Sequence, residues 1–256
     1  AASGLCRSDW HAWAGHDDSV HLPQVPGHEF AGVVESVGAG VERWRPGDRV
    51  TAPFVMGCGE CEWCRSGQAQ VCPDQTQPGF THWGSHAELV AVRAADLNLV
   101  ALPDDIDDAA AASLGCRFAT AYRAVTARAR TRPGEWIAVY GAGGVGLSAV
   151  MIAAALGARP IAVDRSPAAL DLARAFGAEH TLEADDATPS AIAELTGGGA
   201  HVSVDAVGSP ATAGAALHSL RRRGRHVQIG LLPGGGPVLP LDRVIGWELE
   251  VLGSHG

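Results

Sequence analysis

Trp136-Ile137-Ala138-Val139-Tyr140-Gly141-Ala142-Gly143-Gly144-Val145-Gly146 is the stretch on which the fold turns. An apolar, β-branched and aromatic run stops at a glycine-rich turn, and a helical pattern follows over 145–156. Glycine at 141 permits a tight turn, glycine at 143 lets a backbone approach a pyrophosphate, and glycine at 146 lets helix pack on strand. The start of the helix, with Gly144 and Val145, offers N–H groups and a positive dipole end to phosphate. Asp164 ends the next apolar run, about 20 residues downstream, where a carboxylate bonds a ribose 2′-hydroxyl and repels a 2′-phosphate. NAD is therefore expected over NADP, although Arg165 beside it softens the choice. The alternative is a glycine turn that packs its helix without a ligand.

Working outward, strand and helix patterns alternate. Strands are expected over 161–164, 181–182, 202–207, 225–230 and 249–252, and helices over 167–176, 190–195 and 211–220. Such alternation means a parallel, doubly wound (Rossmann) sheet. The apolar stretch 137–164 is long enough to suggest a membrane span. Its glycines, with Arg159 and Pro160, favour strand, turn, helix and strand instead. Arg221, Arg222 and Arg223 are expected to cap a helix C-terminus.

Upstream of about residue 106 the pattern is different. Short β-like runs over 30–37, 48–52, 85–92 and 98–102 are separated by turn signals, and an Ala-rich helical stretch, interrupted at Gly115, covers 107–129. The expected architecture is an irregular β domain over 1–117 followed by a nucleotide-binding domain over 118–256. The start near Cys6 and the end in a strand over 249–252 read as truncations at both ends.

The chain has 256 residues, 46% hydrophobic and 18% charged, with a formal net charge of −9. No basic face offers itself to phosphates, so nucleic acid is set aside as a partner. No secretory signal or spanning segment is visible, which points to a cytoplasmic protein with no membrane partner.

Four of the six cysteines form a C-x2-C-x2-C-x7-C run: Cys58, Cys61, Cys64 and Cys72. Four thiolates within so short a stretch suit a closed structural zinc site. An iron–sulfur cluster and a pair of disulfides are the alternatives, the second disfavoured by a reducing compartment. Cys6 and Cys116, each alone readable as a small buried hydrophobe, can join His28 in a second set, two thiols and an imidazole that hold a zinc with one position open.

With these residues in hand, the chain resembles the zinc-containing medium-chain alcohol dehydrogenases. The likeness is carried by Gly4-x-Cys6-x-Ser8-Asp9-x-His11, Gly27-His28-Glu29, the four-cysteine run, Leu114-Gly115-Cys116 and Gly141-Ala142-Gly143-Gly144-Val145-Gly146, and it spans essentially the whole chain. It implies a GroES-like catalytic domain joined to a Rossmann domain. It implies a catalytic zinc on Cys6, His28 and Cys116, with Glu29 behind it as a transient ligand, and a structural zinc on the four-cysteine run. Ser8 would touch the substrate oxygen and pass its proton toward His11, and Asp9 would orient His28. Arg7 would reach the cofactor pyrophosphate, Thr120 and Val145 would flank the nicotinamide, and Phe54 would line the substrate pocket. The implied reaction moves hydride between a small-molecule alcohol and NAD(H), in a homodimer or homotetramer. The loop over 231–240 would border the nicotinamide. Plainer readings stand beside these: His11 as a loop histidine, Ser8 as a turn residue, Asp9 as a helix cap, and the whole as a zinc-free reductase or a binder without turnover.

Overall fold

The computed structural model describes residues 1–232 and 239–256. The chain divides into two units, Ala1–Ala119 together with Gly256, and Thr120–His255.

The first unit is built on a four-stranded antiparallel sheet of β1 (Ala2–Gly4), β2 (Glu29–Val33), β3 (Arg49–Thr51) and β4 (Val100–Ala101), in that order. Phe30, Trp44, Val50, Ala52, Met56 and Leu99 close its core. Two expected strands differ. Residues 85–92 form none, because the Gly84, Ser85 and His86 N–H groups donate to the carbonyls of Val25, Gly27 and Pro26 at 2.7, 2.9 and 3.0 Å. That backbone is spent on a loop rather than a ladder. The run over 98–102 shrinks to β4, because Asn98 ends a helical turn, Ala95–Asn98, and clamps Gly57 through both its amide oxygen and nitrogen at 2.9 Å. The Ala-rich stretch begins as helix Asp108–Ala112, with the Asp107 side chain capping the Ala110 N–H. It then widens over Leu114–Phe118 and again over Ala124–Arg128, where the Ala129 N–H reaches back five residues to the Ala124 carbonyl at 2.8 Å. Such wide turns recur at functional sites, and the first carries Cys116.

The second unit is a six-stranded, all-parallel sheet. Its strands are β5 (Trp136–Tyr140), β6 (Arg159–Asp164), β7 (His180–Glu183), β8 (Ala200–Asp205), β9 (Leu220–Gln228) and β10 (Glu250–Gly253), in the order β10-β9-β8-β5-β6-β7. This is the doubly wound order, whose direction reverses between β5 and β8. Ile137, Val139, Ile161, Val202 and Val204 are fully buried, as continuous apolar strands covered on both faces must be. Helix Gly144–Ala155 is apolar around its whole circumference and buries Ala149, Val150 and Ala153. It has 12 residues, and no helix among the described residues is long and apolar enough to cross a membrane. The three arginines at 221–223 lie in β9 rather than capping a helix, which ends earlier at His218. Arg222 stacks over the Trp247 ring at 5.0 Å. Helix Leu241–Trp247 gives no expected periodic signal because its apolar face is too short. Most of the loop over 231–240 lies outside the described residues.

Gly146 sits where β5 meets this helix. A methyl group there would stand 1.7 Å from the Gly141 carbonyl oxygen. Gly146→Ala is therefore expected to cost about 2 kcal/mol or more by overpacking and to lower Tm by roughly 4 °C or more. A melting curve equal to that of the parent would show that the helix can shift outward without cost.

Candidate metal centres and nucleotide site

The pairing of β1 with β2 is what brings Cys6 and His28 together. Gly4 lies opposite Glu29, so Cys6, two residues after β1, and His28, just before β2, share one end of the sheet. Cys6 then caps helix Arg7–Trp13, and Asp9, in the first turn of that helix, turns back over it. One carboxylate oxygen of Asp9 accepts the Cys6 N–H at 2.9 Å. The other accepts the Gly27 N–H and faces His28 Nδ1, both at 3.0 Å. Asp9 is 4% exposed and His28 1%. The Nδ1–H of His28 thus donates to Asp9, which leaves Nε2 as the free face of the ring.

That Nε2 is buried and has no hydrogen-bond partner. An uncompensated buried nitrogen is costly, unless an ion fills the place. Cys6 and Cys116 supply the other two donors, and the three ligand atoms lie within 4.8 Å of one another, all buried. Two soft thiolates and one imidazole are a zinc donor set with one position left open. Cys116 beside it brings the Cys6 thiol down to about 4 against the opposing pull of burial. Cys116 is pushed up correspondingly, by Cys6 first and then by burial. Burial would lower His28, yet Asp9 and Cys6 together raise it to about 9. To bind a divalent cation these donors would give up their protons.

Glu29 is fully buried but stands outside that cluster. One of its oxygens accepts from the Arg117 backbone N–H at 3.2 Å and from Nε at 3.0 Å, and the other pairs with Arg117 Nη2 at 2.8 Å. Glu29 thereby anchors the wide turn that carries Cys116. From the other side, the Phe54 N–H donates to the Gly115 carbonyl at 2.9 Å. The ring of Phe54 lies 5.9 Å from that of His28, and Phe80 lies closer, at 5.3 Å. Sequence reasoning missed both Arg117 and Phe80. Arg117 adjoins a predicted ligand and could have been suspected; Phe80 lies in the stretch Pro78-Gly79-Phe80-Thr81-His82, which resembles the family, but its own role was not assigned.

Ser8 is half-buried, with its Oγ 3.8 Å from Cys6 Sγ. His11 lies one turn further along the same helix. It makes no direct hydrogen bond to Ser8; its Nδ1 lies 3.1 Å from His16 Nδ1 instead. Partial burial, then Arg7 and His16, lower the pKa of His11. Arg7 is exposed and lies over the Trp10 ring at 5.4 Å.

The four-cysteine run closes on itself in the same unit. Cys58, Cys61, Cys64 and Cys72 place their sulfurs within 4.8 Å of one another. Cys58 lies 4.0 Å from Cys64, and Cys61 lies 3.7 Å from Cys72. Four sulfurs around one zinc at its usual bond length stand about 3.8 Å apart. A disulfide needs about 2 Å, and all six cysteines are free. Backbone N–H groups point at the sulfurs as they would at thiolates: Glu60 and Cys61 at Cys58, Cys64 at Cys61, and Cys58 at Cys72, each at 3.4 Å. The first two bring the Cys58 thiol down to about 7.

In the second unit, Gly143 precedes helix Gly144–Ala155 as its cap, and among the described residues no atom beyond its chain neighbours lies within 4 Å of where its Cβ would stand. Gly143 and Gly144 are exposed and Val145 is half-buried, so the helix N-terminus, whose N–H groups favour phosphate, is open. Asp164 ends β6; its carboxylate accepts the Ala142 N–H at 2.7 Å and the Ser166 N–H at 2.9 Å. It thus ties the glycine turn to the next strand. Arg165 is exposed beside it, and Thr120 is buried at the start of the unit.

Comparison with known proteins identifies the family. The family model described as alcohol dehydrogenase GroES-like domain matches residues 1–104, and that described as zinc-binding dehydrogenase matches residues 144–256. An alcohol dehydrogenase of Geobacillus stearothermophilus is 38% identical over 259 residues, covering 99% of this chain and 74% of that protein. Among solved structures, alcohol dehydrogenase TADH from Thermus sp. ATN1 superposes with a TM-score of 0.92 at 33% identity, over 98% of this chain and 74% of that one. An NAD-dependent alcohol dehydrogenase superposes with a TM-score of 0.89 at 32% identity, over 98% of this chain and 74% of that one.

Proposed function

Because the chain belongs to the zinc-type medium-chain dehydrogenase family and is an alcohol oxidoreductase by that membership, we propose that it transfers hydride between a primary or secondary alcohol and NAD(H), yielding the aldehyde or ketone. The observation that carries this reading is the bare, buried Nε2 of His28 facing the Cys6 and Cys116 sulfurs.

When bound, zinc acidifies an alcohol hydroxyl or polarises a carbonyl, and the nicotinamide exchanges the hydride. The chain's own residues do the positioning. Cys6, His28 and Cys116 hold the ion, Asp9 fixes the His28 ring, and Glu29, through Arg117, holds the turn behind Cys116. Ser8 receives the substrate proton at Oγ and releases it toward His11, which shares its Nδ1 face with His16 near solvent. The helix N-terminus at Gly143, Gly144 and Val145 takes the pyrophosphate, with Arg7 as a further cation. Thr120 and Val145 flank the nicotinamide, and Phe54 and Phe80 present apolar rings to the alcohol. The second ion, on Cys58, Cys61, Cys64 and Cys72, is structural. Residues 1–117 form the catalytic domain and 118–256 the cofactor domain. The working form is a cytoplasmic homodimer or homotetramer that buries the open edge at β10.

Asp164 selects the cofactor. Asp164→Ala is expected to lower kcat/KM for NAD by about tenfold, some 1.4 kcal/mol, and to erode the preference over NADP. The overall reading is tested by following nicotinamide absorbance over a panel of primary and secondary alcohols with each cofactor. Saturable NAD reduction with some member supports it. Tight NADH binding without turnover on any alcohol or aldehyde would turn the chain into a binder.

A further inference from the structure

The crevice of a doubly wound sheet opens where strand order reverses, at the carboxyl ends of the two central strands. In this chain those strands are β5 and β8. The glycine turn leaves the end of β5. The turn Ala206-Val207-Gly208 leaves the end of β8, whose last residue, Asp205, lies in register with Tyr140.

Asp205 is fully buried, at 0% exposure. One carboxylate oxygen accepts the Val207 N–H at 2.8 Å and the Gly208 N–H at 3.1 Å. The other accepts the Thr212 hydroxyl and the Gln228 amide, each at 3.0 Å. All four of these donors are neutral. A buried carboxylate held in this way is a high-stakes network, stable only with all its donors in place. The network runs further. Gln228 Nε2 also donates to the Gly230 carbonyl at 2.9 Å, so its Oε1 faces His226 Nε2 at 3.2 Å. That ring nitrogen must carry the proton, and Nδ1 then accepts the Ser203 hydroxyl at 3.0 Å. Ser203 and His226 are themselves buried.

What this network holds is the 206–208 turn. A Cβ placed on Gly141 would stand 2.6 Å from Val207 Cγ2, so Val207 packs directly on the first glycine of the nucleotide turn. On its far side Gly208 is pressed against Gly230 and Leu231, where a Cβ would meet the Leu231 carbonyl oxygen at 2.1 Å. The turn is wedged between the two.

We propose that Asp205 is a positioning residue for the dinucleotide: by holding the 206–208 turn against Gly141, it fixes the glycine turn on which the pyrophosphate rests. This rests on the NAD reading above. Asp205→Asn keeps the shape but places a donor opposite the Gln228 amide and the Thr212 hydroxyl. Thr212→Val removes one donor and is milder. NADH is titrated into the parent and both variants, each with its own melting curve, at a temperature where all are folded. Asp205→Asn is expected to raise the NADH Kd by at least about tenfold, and Thr212→Val by about threefold, as displaced positioning groups do. KM for NAD should rise while kcat at saturating NAD changes less. A lowered Tm with the Asp205→Asn Kd within about twofold of the parent would overturn the proposal. If Asp205→Asn does not fold, an unchanged Kd in Thr212→Val overturns it equally. A parent chain that binds no NADH defeats the NAD reading and this proposal together. A parent that binds, with variants that bind equally well, defeats the proposal alone.

Discussion

Cys116→Ser should reduce alcohol turnover by a factor of about a thousand or more, equivalent to roughly 4 kcal/mol of lost transition-state stabilisation. Serine is nearly isosteric, but its neutral hydroxyl is a poor substitute for a thiolate toward zinc. The change also removes the proton-sharing partner that brings the Cys6 thiol down to about 4. The turn itself should survive, because it is held from outside the cysteine: by Arg117 on Glu29 at 3.0 Å and by the Phe54 N–H on the Gly115 carbonyl at 2.9 Å. The variant should therefore melt near the parent, keep the four-cysteine zinc and lose the other. Retained turnover would remove Cys116 from the site. Loss of both ions would mean that the two centres are not independent.

Cys72→Ser should act in the opposite sense, mainly on stability. Cys72 is fully buried, accepts the Cys58 N–H at 3.4 Å and lies 3.7 Å from Cys61. A structural zinc contributes its binding free energy to folding. Beside it the lobe is held by a Met56–Thr76 bridge and the Asn98 clamp on Gly57. Loss of the ion should cost several kcal/mol, the folding free energy that its binding contributes, and lower Tm by around 10 °C. Zinc content and calorimetry on the purified variant check both halves. A parent-like Tm with one zinc lost would make the lobe an appendage rather than a support.

The second unit was largely legible in the sequence, and the reason is physical. A parallel sheet buries both faces, so Ile137, Val139, Ile161, Val202 and Val204 announce their strands as unbroken apolar runs. Glycines at 141, 143 and 146 then mark the turn between strand and helix. The first unit was less legible because its short segments take their conformation from contacts distant in sequence. The run over 85–92 looks alternating, but Ser85 and His86 at its start hydrogen-bond to 26–27, and Asn98 looks like a strand residue but serves as a clamp on Gly57. The potential ligands were legible as types and spacings, since Cys, His and glycine declare their chemistry. Their supports were not. Nothing near Arg117 in sequence points to Glu29, and nothing near Asp205 points to Gln228 or to Gly141. The relay is the intermediate case: Ser8 and His11 share a helix, but His16 emerges as the partner of His11 only once the turn after Trp13 is folded.

The most direct test is the zinc content per subunit of the protein purified without chelator, measured by elemental analysis. Two zinc ions, one lost in Cys116→Ser and the other in Cys72→Ser, is the result expected if Cys6, His28 and Cys116 hold a catalytic ion beside the four-cysteine lobe. A single ion that survives Cys116→Ser unchanged would contradict the account, leaving only the structural lobe and a site without zinc chemistry.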